Sequence, residues 1–283
     1  MIIIKLQGGL GNQLFQYAFA KALSKQLNVD FALDDSFYSQ NITNYSQNGI
    51  RTNQLSIFDI NYSVSNKKNQ DWNWLLKTLS RSVGLKSYIA EPRFEFTDIA
   101  VQVKGDVFLD GYWQSERYFS MIQSAIKHDF STFKEPISQA ALPILAQIKT
   151  TNSVCIHVRR SDYLTNPRYV VLGLDYYQKA IEWLFDLFTD LHFFVFSDDI
   201  NWCKANFEGT ANFQFVSDNQ RFTLRDEFEM MQNCQHHITA NSTLSWWAAW
   251  LNNNHAKVVI CPQKWFFGRT STEDLLPKTW IQL

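Results

Sequence analysis

A histidine and two arginines follow an apolar run in Val154-Cys155-Ile156-His157-Val158-Arg159-Arg160-Ser161-Asp162-Tyr163. Side chains alternate along a strand, so Val154, Ile156 and Val158 share one face while Cys155, His157 and Arg159 share the other. In an open parallel sheet the carboxyl end of a strand borders the ligand crevice, and a planar guanidinium there suits phosphate oxygens. Adjacent arginines on a buried strand are costly without an anion. The competing reading is structural: an ion pair of Arg159 or Arg160 with Asp162.

Three other stretches carry similar chemistry. Gly8-Gly9-Leu10-Gly11-Asn12-Gln13 separates a β-branched run from a helical pattern. Glycines let the backbone turn tightly and approach a ligand, and free amides at a helix start attract an anion such as a diphosphate. The order matches neither the dinucleotide fingerprint nor the phosphate loop, so a glycine turn without a ligand stays open. Thr223 and Asp226 have capping-box spacing, which leaves Asp226 either closing a helix start or serving a ligand. Asn241-Ser242-Thr243 precede an apolar helix; Ser242 or Thr243 is its N-cap, and the start again favours an anion. Asp198 and Asp199 end an aromatic strand. Paired aspartates can bind a metal, but Asp198 reads as the N-cap of a helix over 200–206.

The elements that must hold these residues follow from periodicity. Residues 2–6 form a strand, and Leu14, Phe15, Ala18, Phe19, Ala22 and Leu23 give the next segment a broad helical apolar face. Val29 to Leu33 is a second strand, completing a βαβ unit. Residues 39–71, rich in Asn, Ser and Gln, read as surface loop with short helical pieces. Val107 to Leu109 is a short strand running into Asp110-Gly111-Tyr112-Trp113-Gln114-Ser115-Glu116. Ser131 to Thr151, with Pro136 and Pro143, reads as interdomain helix and linker, giving a boundary near 150. Beyond it the expected order is strand 153–159, helix 175–188, strand 192–196, helices 200–206 and 224–233, strand 236–239, helix 244–251 and strand 257–261. This alternation indicates an α/β protein with a parallel sheet covered on both faces.

Composition fits a folded chain of one large or two ordinary domains: 283 residues, 46% hydrophobic, 19% charged, 10 Gly and 6 Pro. Lys plus Arg (26) against Asp plus Glu (27) leaves a net charge of -1, which excludes nucleic-acid binding through a bulk basic field. Cys155, Cys203, Cys234 and Cys261 lack metal-site or disulfide-framework spacing and read as buried thiols. The 10 Trp, 11 Tyr and 23 Phe read mainly as core. No secretory leader or membrane span is expected, so the cytoplasm is the default location, with peripheral membrane association left open.

Taken together, residues 8–18, 157–163, 196–199 (Phe-Ser-Asp-Asp) and 241–247 (Asn-Ser-Thr-Leu-Ser-Trp-Trp) resemble the alpha-1,2-fucosyltransferases of glycosyltransferase family 11. The resemblance implies a GT-B architecture of two Rossmann-like domains facing across a cleft, 1–150 on the acceptor side and 151–283 holding GDP-fucose. It also implies inversion at the anomeric carbon, a galactose-containing acceptor taking fucose on its 2-hydroxyl, and neither cofactor nor required metal. Carried over, Arg159 grips the donor diphosphate and His157 lies near the nucleotide, with Arg160, Gly9 and Gly11 also nucleotide-binding. Asp226 reads guanine, Asn241, Ser242 and Thr243 cradle the phosphates, and Asn12 reaches the reacting centre. Asp162 is the first candidate base, with Asp110 and Glu116 as others. Acceptor choice falls to residues 39–71 and Tyr112 to Glu116. Another GDP-sugar or linkage, or a non-catalytic carbohydrate-binding protein, are the alternatives.

Overall fold

The computed structural model describes residues 1–40, 52–65, 88–100, 103, 105–207, 212–218, 221–268 and 271–283. The chain divides into two units, Met1–Lys134 with Glu273–Pro277, and Glu135–Thr272 with Lys278–Leu283.

The first unit is built on a parallel sheet of order β3-β2-β1-β5-β4: β1 Ile2–Lys5, β2 Phe31–Asp34, β3 Ser63–Val64, β4 Tyr88–Ala90 and β5 Val107–Asp110. Ile2, Ile3 and Ile4 of the central strand are wholly buried, as a parallel strand covered on both faces requires. Helix α1, Leu10–Leu27, returns the chain to β2 and completes the expected βαβ unit. It buries Leu14, Phe15, Ala18, Phe19 and Leu23 together with two polar side chains, Gln13 and Gln16. After β5 come a 3-10 helix, Glu116–Ile122, and an α-helix, Gln123–Ser131. Asp274 returns to this unit, where its carboxylate accepts from the Phe96 amide at 3.0 Å and pairs with Arg117 at 2.6 Å. Of the loop expected over 39–71, residues 41–51 and 66–71 lie outside the described residues.

The second unit carries a six-stranded parallel sheet of order β11-β10-β9-β6-β7-β8. Its central strand is β6, Asn152–Val158, flanked by β7 Leu191–Ser197 and β9 His236–Ile238; β8 Asn212–Phe215, β10 Val259–Cys261 and β11 Ile281–Gln282 complete it. One face packs Val154, Ile156 and Val158 against Tyr177 and Leu184 of the helix Leu174–Phe185. Because every pairing is parallel, the carboxyl ends of the strands and the starts of the helices that follow share one edge. Trp246, Trp247 and Trp250 are core, at 0%, 0% and 6% exposure.

The division falls at Lys134/Glu135, upstream of the expected boundary near 150. The helix Leu142–Thr150 leads directly into β6, Ser153 Oγ donates to its Ile148 carbonyl at 2.8 Å, and the Ser138 amide donates to Asp226. The segment read as a linker is therefore bonded into the second unit. All four cysteines are buried free thiols. No helix among the described residues is long and apolar enough to cross a membrane.

Candidate functional site

In the second unit the site grows from the end of β6. His157 is buried at 5% exposure, and burial, helped by the nearby Arg159 charge, lowers its pKa to about 3, so the imidazole is neutral under ordinary conditions. Its Nδ1 is buried without a hydrogen-bond partner. Arg159 follows just past the strand. Its Nε donates to Asp162 Oδ1 at 2.8 Å, and its Nη1 pairs with Asp198 Oδ2 at 3.1 Å. Burial opposes the guanidinium charge, but Asp198 and Asp162 outweigh it and raise its pKa above the usual arginine value. The pair with Asp162 that the sequence left open is thus formed, and a second carboxylate joins it. A guanidinium has five donors, so two carboxylates orient it while leaving capacity for an anion.

Asp198 corrects one expectation. The N-cap of the helix Ile200–Asn206 is Asp199, whose Oδ1 accepts from the Trp202 amide at 3.2 Å. Asp198 instead accepts from the amides of Arg160 at 2.9 Å and Ser161 at 3.2 Å, fixing the turn that carries Arg159. The Phe-Ser-Asp-Asp stretch after β7 therefore serves the arginine stretch after β6. Arg160 is engaged elsewhere than expected: its Nε pairs with Asp199 at 3.2 Å and its guanidinium lies 4.1 Å from the Trp202 ring centroid.

Asp226 resolves toward its structural alternative. Thr223 and Asp226 form a complete capping box at the start of the helix Leu224–Asn233. Asp226 Oδ2 accepts from the Thr223 amide and hydroxyl, Oδ1 accepts from the Ser138 amide at 2.9 Å, and the residue is 1% exposed. Burial alone would raise its pKa, but these bonds outweigh it and hold it below the usual carboxylate value. Both oxygens being satisfied by the chain, Asp226 is not presented to a base in this structure. Its neighbour Glu227 escaped the sequence reading. Burial raises its pKa to about 7 against the opposing Ser217 hydroxyl, and that hydroxyl in turn accepts from the Ser197 amide at 3.0 Å at the end of β7. The signal was legible: Leu224, Glu227, Phe228 and Met231 fall on one stripe at helical spacing, so this carboxyl is on the inward side.

At the helix Thr243–Leu251 the N-cap is Ser242, with no side-chain cap bond and no acidic residue in the first turn. Such a start keeps amides directed at an incoming anion. Asn241 does different work from that expected. Its Nδ2 donates to the carbonyls of Val170 and Trp265, both at 2.9 Å, and its own carbonyl accepts from Tyr163 at 2.8 Å. It ties neighbouring loops together beneath Ser242.

In the first unit, Gly9 is the N-cap of α1 and Gly11 is buried in its first turn. The glycine that the geometry demands is Gly8, at φ +80°, where a Cβ would stand 2.3 Å from Asn12 Nδ2. The hollow it leaves is filled by the Asn12 amide. Asn12 Oδ1 accepts from Gln114 Nε2 at 2.9 Å, while Gln13 bonds to Gly8 and Thr52 and Gln16 to Gly111, so two buried glutamines pin the turn. Of the carboxylates considered as bases, Asp162 is paired with Arg159, and Asp110 with Lys5 and Tyr88. Among the described residues, no group of three or more His, Cys, Asp or Glu could hold a metal ion.

Comparison with known proteins agrees with this frame. The family model for glycosyl transferase family 11 matches residues 50–283. An alpha-1,2-colitosyltransferase from Escherichia coli is 33% identical over 100% of this chain and 99% of its own length. An O-antigen biosynthesis glycosyltransferase, WbnK, from the same species is 32% identical over 98% and 99%. Human galactoside alpha-(1,2)-fucosyltransferase 1 is 28% identical over 50% of this chain and 42% of its own. The chain belongs to glycosyl transferase family 11. It is a glycosyltransferase of α/β architecture, built on two parallel sheets.

Proposed function

We propose that this enzyme moves L-fucose from GDP-fucose to the 2-hydroxyl of a galactoside, with inversion, during the building of a surface glycan. The observation that carries the reading is Arg159, held by Asp162 and Asp198 at the carboxyl edge of the second sheet. The uncapped start at Ser242 stands on that same edge. In the reaction the bond from the anomeric carbon to the β-phosphate breaks and its electron pair leaves with GDP. The acceptor oxygen bonds to that carbon and loses its proton. Negative charge grows on the departing diphosphate, and an oriented guanidinium and helix amides stabilise it more in the transition state than in the ground state. Neutral His157 contributes no charge of its own and lies one strand residue before the turn.

Relatives named for alpha-1,2 transfer support the linkage. The sugar of GDP-fucose is β-linked, so an alpha product is an inversion. Asp162 is bonded to the Arg159 guanidinium, and its role here is to orient Arg159 while the acceptor proton departs late.

A second reading rests on the colitosyltransferase relative that spans the whole chain. Colitose is L-fucose without its 3-hydroxyl. A site that hydrogen-bonds that hydroxyl discriminates strongly against the deoxy sugar, whereas a site that ignores it barely discriminates. The decisive measurement offers GDP-fucose and GDP-colitose separately with a panel of galactosides and assigns the product linkage by NMR, with and without chelator. Alpha-1,2-fucosylated product formed in chelator supports the proposal. Preference for GDP-colitose, another linkage, or activity restored only by manganese replaces it.

A further inference from the structure

The loops that leave β6, β9 and β10 are tied into one circuit at the carboxyl edge of the second sheet. Tyr169 and Phe266 pair as an isolated antiparallel bridge. Around it the Val170 amide donates to the Trp265 carbonyl at 3.3 Å and the Phe267 amide to the Arg168 carbonyl at 2.9 Å. The Asn241 side-chain amide spans both segments through Val170 and Trp265. Tyr163 closes the circuit. Its ring lies flat on that of Tyr169, with centroids 4.2 Å apart and planes at 7°, and its hydroxyl donates to the Asn241 carbonyl at 2.8 Å. Burial raises the pKa of this phenol above the usual tyrosine value, so it stays a donor.

Each end of the bond from Tyr163 to Asn241 adjoins a group already placed in the site. On one side Tyr163 follows Asp162, which orients Arg159, and the guanidinium carbon lies 5.9 Å from the Tyr163 ring centroid. The turn between them closes through the Leu164 amide, which donates to the Arg160 carbonyl at 2.9 Å. On the other side Asn241 immediately precedes Ser242, whose carbonyl accepts from the Trp246 amide at 3.0 Å in the first turn of the helix Thr243–Leu251. Asp162 and Asp198 aim the guanidinium; the Tyr163 hydroxyl fixes a different quantity, the distance from the arginine turn to the helix start. Two donors stabilise one departing diphosphate together only when their separation matches it, and a misplacement of about 1 Å can cost about a hundredfold in rate.

We propose that Tyr163 is a positioning residue whose hydroxyl, through the Asn241 carbonyl, sets the spacing between the Arg159 guanidinium and the helix start at Ser242, so that both meet the leaving diphosphate at once. This inference rests on the glycosyl-transfer reading given above. Its test is a double-mutant cycle on kcat with Tyr163→Phe, Arg159→Lys and the two combined, using GDP-fucose and a galactoside the wild type accepts. Tyr163→Phe keeps the stacked ring and removes the donor to the Asn241 carbonyl. Loss of an alignment needed in the transition state lowers kcat, so kcat should fall at least about fivefold. In the Arg159→Lys background the same change should cost at least about threefold less, because the fork it serves is already gone. A hydroxyl that only stabilises the fold predicts the same factor in both backgrounds. A fall in kcat of less than about fivefold, or a loss that shrinks by less than about threefold in the lysine background, overturns the positioning role and leaves the transferase reading intact. If Tyr163→Phe melts too low to assay, Tyr169→Leu, which keeps the hydroxyl but removes the ring beneath it, takes its place under the same criteria. If the wild type transfers fucose to no galactoside, the functional proposal falls, and the spacing is judged by the same cycle on the affinity for inorganic pyrophosphate measured by calorimetry. Coupled losses of affinity then support it, and additive losses, or a wild type that binds no pyrophosphate, overturn it.

Discussion

Asp198 holds Arg159 from two directions: its Oδ2 meets the guanidinium at 3.1 Å, and its oxygens accept the amides of the two residues that follow Arg159. The carboxylate thus fixes both the charged fork and the turn beneath it. Replacing Arg159 by Lys keeps the charge but loses the planar fork that two carboxylates orient. We expect Arg159→Lys to lower turnover by at least about a hundredfold, almost as far as Arg159→Ala, the scale for removing one transition-state donor. Asp162→Asn should barely move the melting temperature, since a partly exposed pair contributes about 0–1 kcal/mol. Asp198→Asn should cost more activity than Asp162→Asn because it also loosens the turn. An active Arg159→Lys enzyme would show that the pairing is structural only.

For Asp226→Asn the geometry forecasts a stability effect. A capping residue contributes about 0.5–2 kcal/mol, and an amide cannot accept at both oxygens as this carboxylate does. Thermal melts should fall while the preference for GDP over ADP in titrations stays as in the wild type. Because the folded pKa lies below the unfolded value, this contribution is complete above about pH 4 and is lost as pH falls through the folded value. Relaxed guanine preference at unchanged stability would restore the base-reading role.

Glu227 has the opposite sign. Its pKa is raised in the fold, to about 7 from 4.5, so the folded state holds its proton where the unfolded state does not. Stability from this group is full below about pH 4.5 and is lost as pH rises towards 7, by something of the order of 1–3 kcal/mol. Glu227→Gln should remove that slope and be more stable than wild type at pH 8. Parallel denaturation curves of the two proteins between pH 5 and 8 would refute this.

At Gly8 an added methyl must adopt φ +80° and displace the Asn12 amide. Gly8→Ala should therefore lower turnover well beyond its effect on stability, whereas Gly9→Ala, at an extended N-cap, should be milder. Equal effects at both glycines would mean that the Asn12 seat has no special part.

Much of this arrangement was legible in the chain. The βαβ opening, the strands β6, β7, β9 and β10 with the helices between them, and the apolar Trp246-Trp247 helix follow from periodicity strong enough to survive tertiary packing, whereas β8, Asn212–Phe215, was missed. What escaped depends on partners distant in sequence. Nothing local says that Asp198 serves Arg160 and Ser161 across 38 and 37 residues, and a cap at Asp199 looks the same in sequence as one at Asp198. Asn241 sits in the stretch most suggestive of phosphate, yet loops at Val170 and Trp265 claim its amide. Short edge strands such as Ser63–Val64 and Ile281–Gln282 are too brief for any period to emerge. The boundary was misplaced because Pro136 and Pro143 resemble a linker, whereas Ser138 is already bonded to Asp226.

Asp274 has a bearing on the order in which this protein comes into being. The sheet of the first unit is complete in sequence by Asp110, but the carboxylate that receives Phe96 and Arg117 arrives 157 positions after that arginine. A ribosome delivers most of the second unit before it delivers this residue. The first unit must therefore wait, partly fastened, while residues 135–272 are made, and this fastening closes only after them.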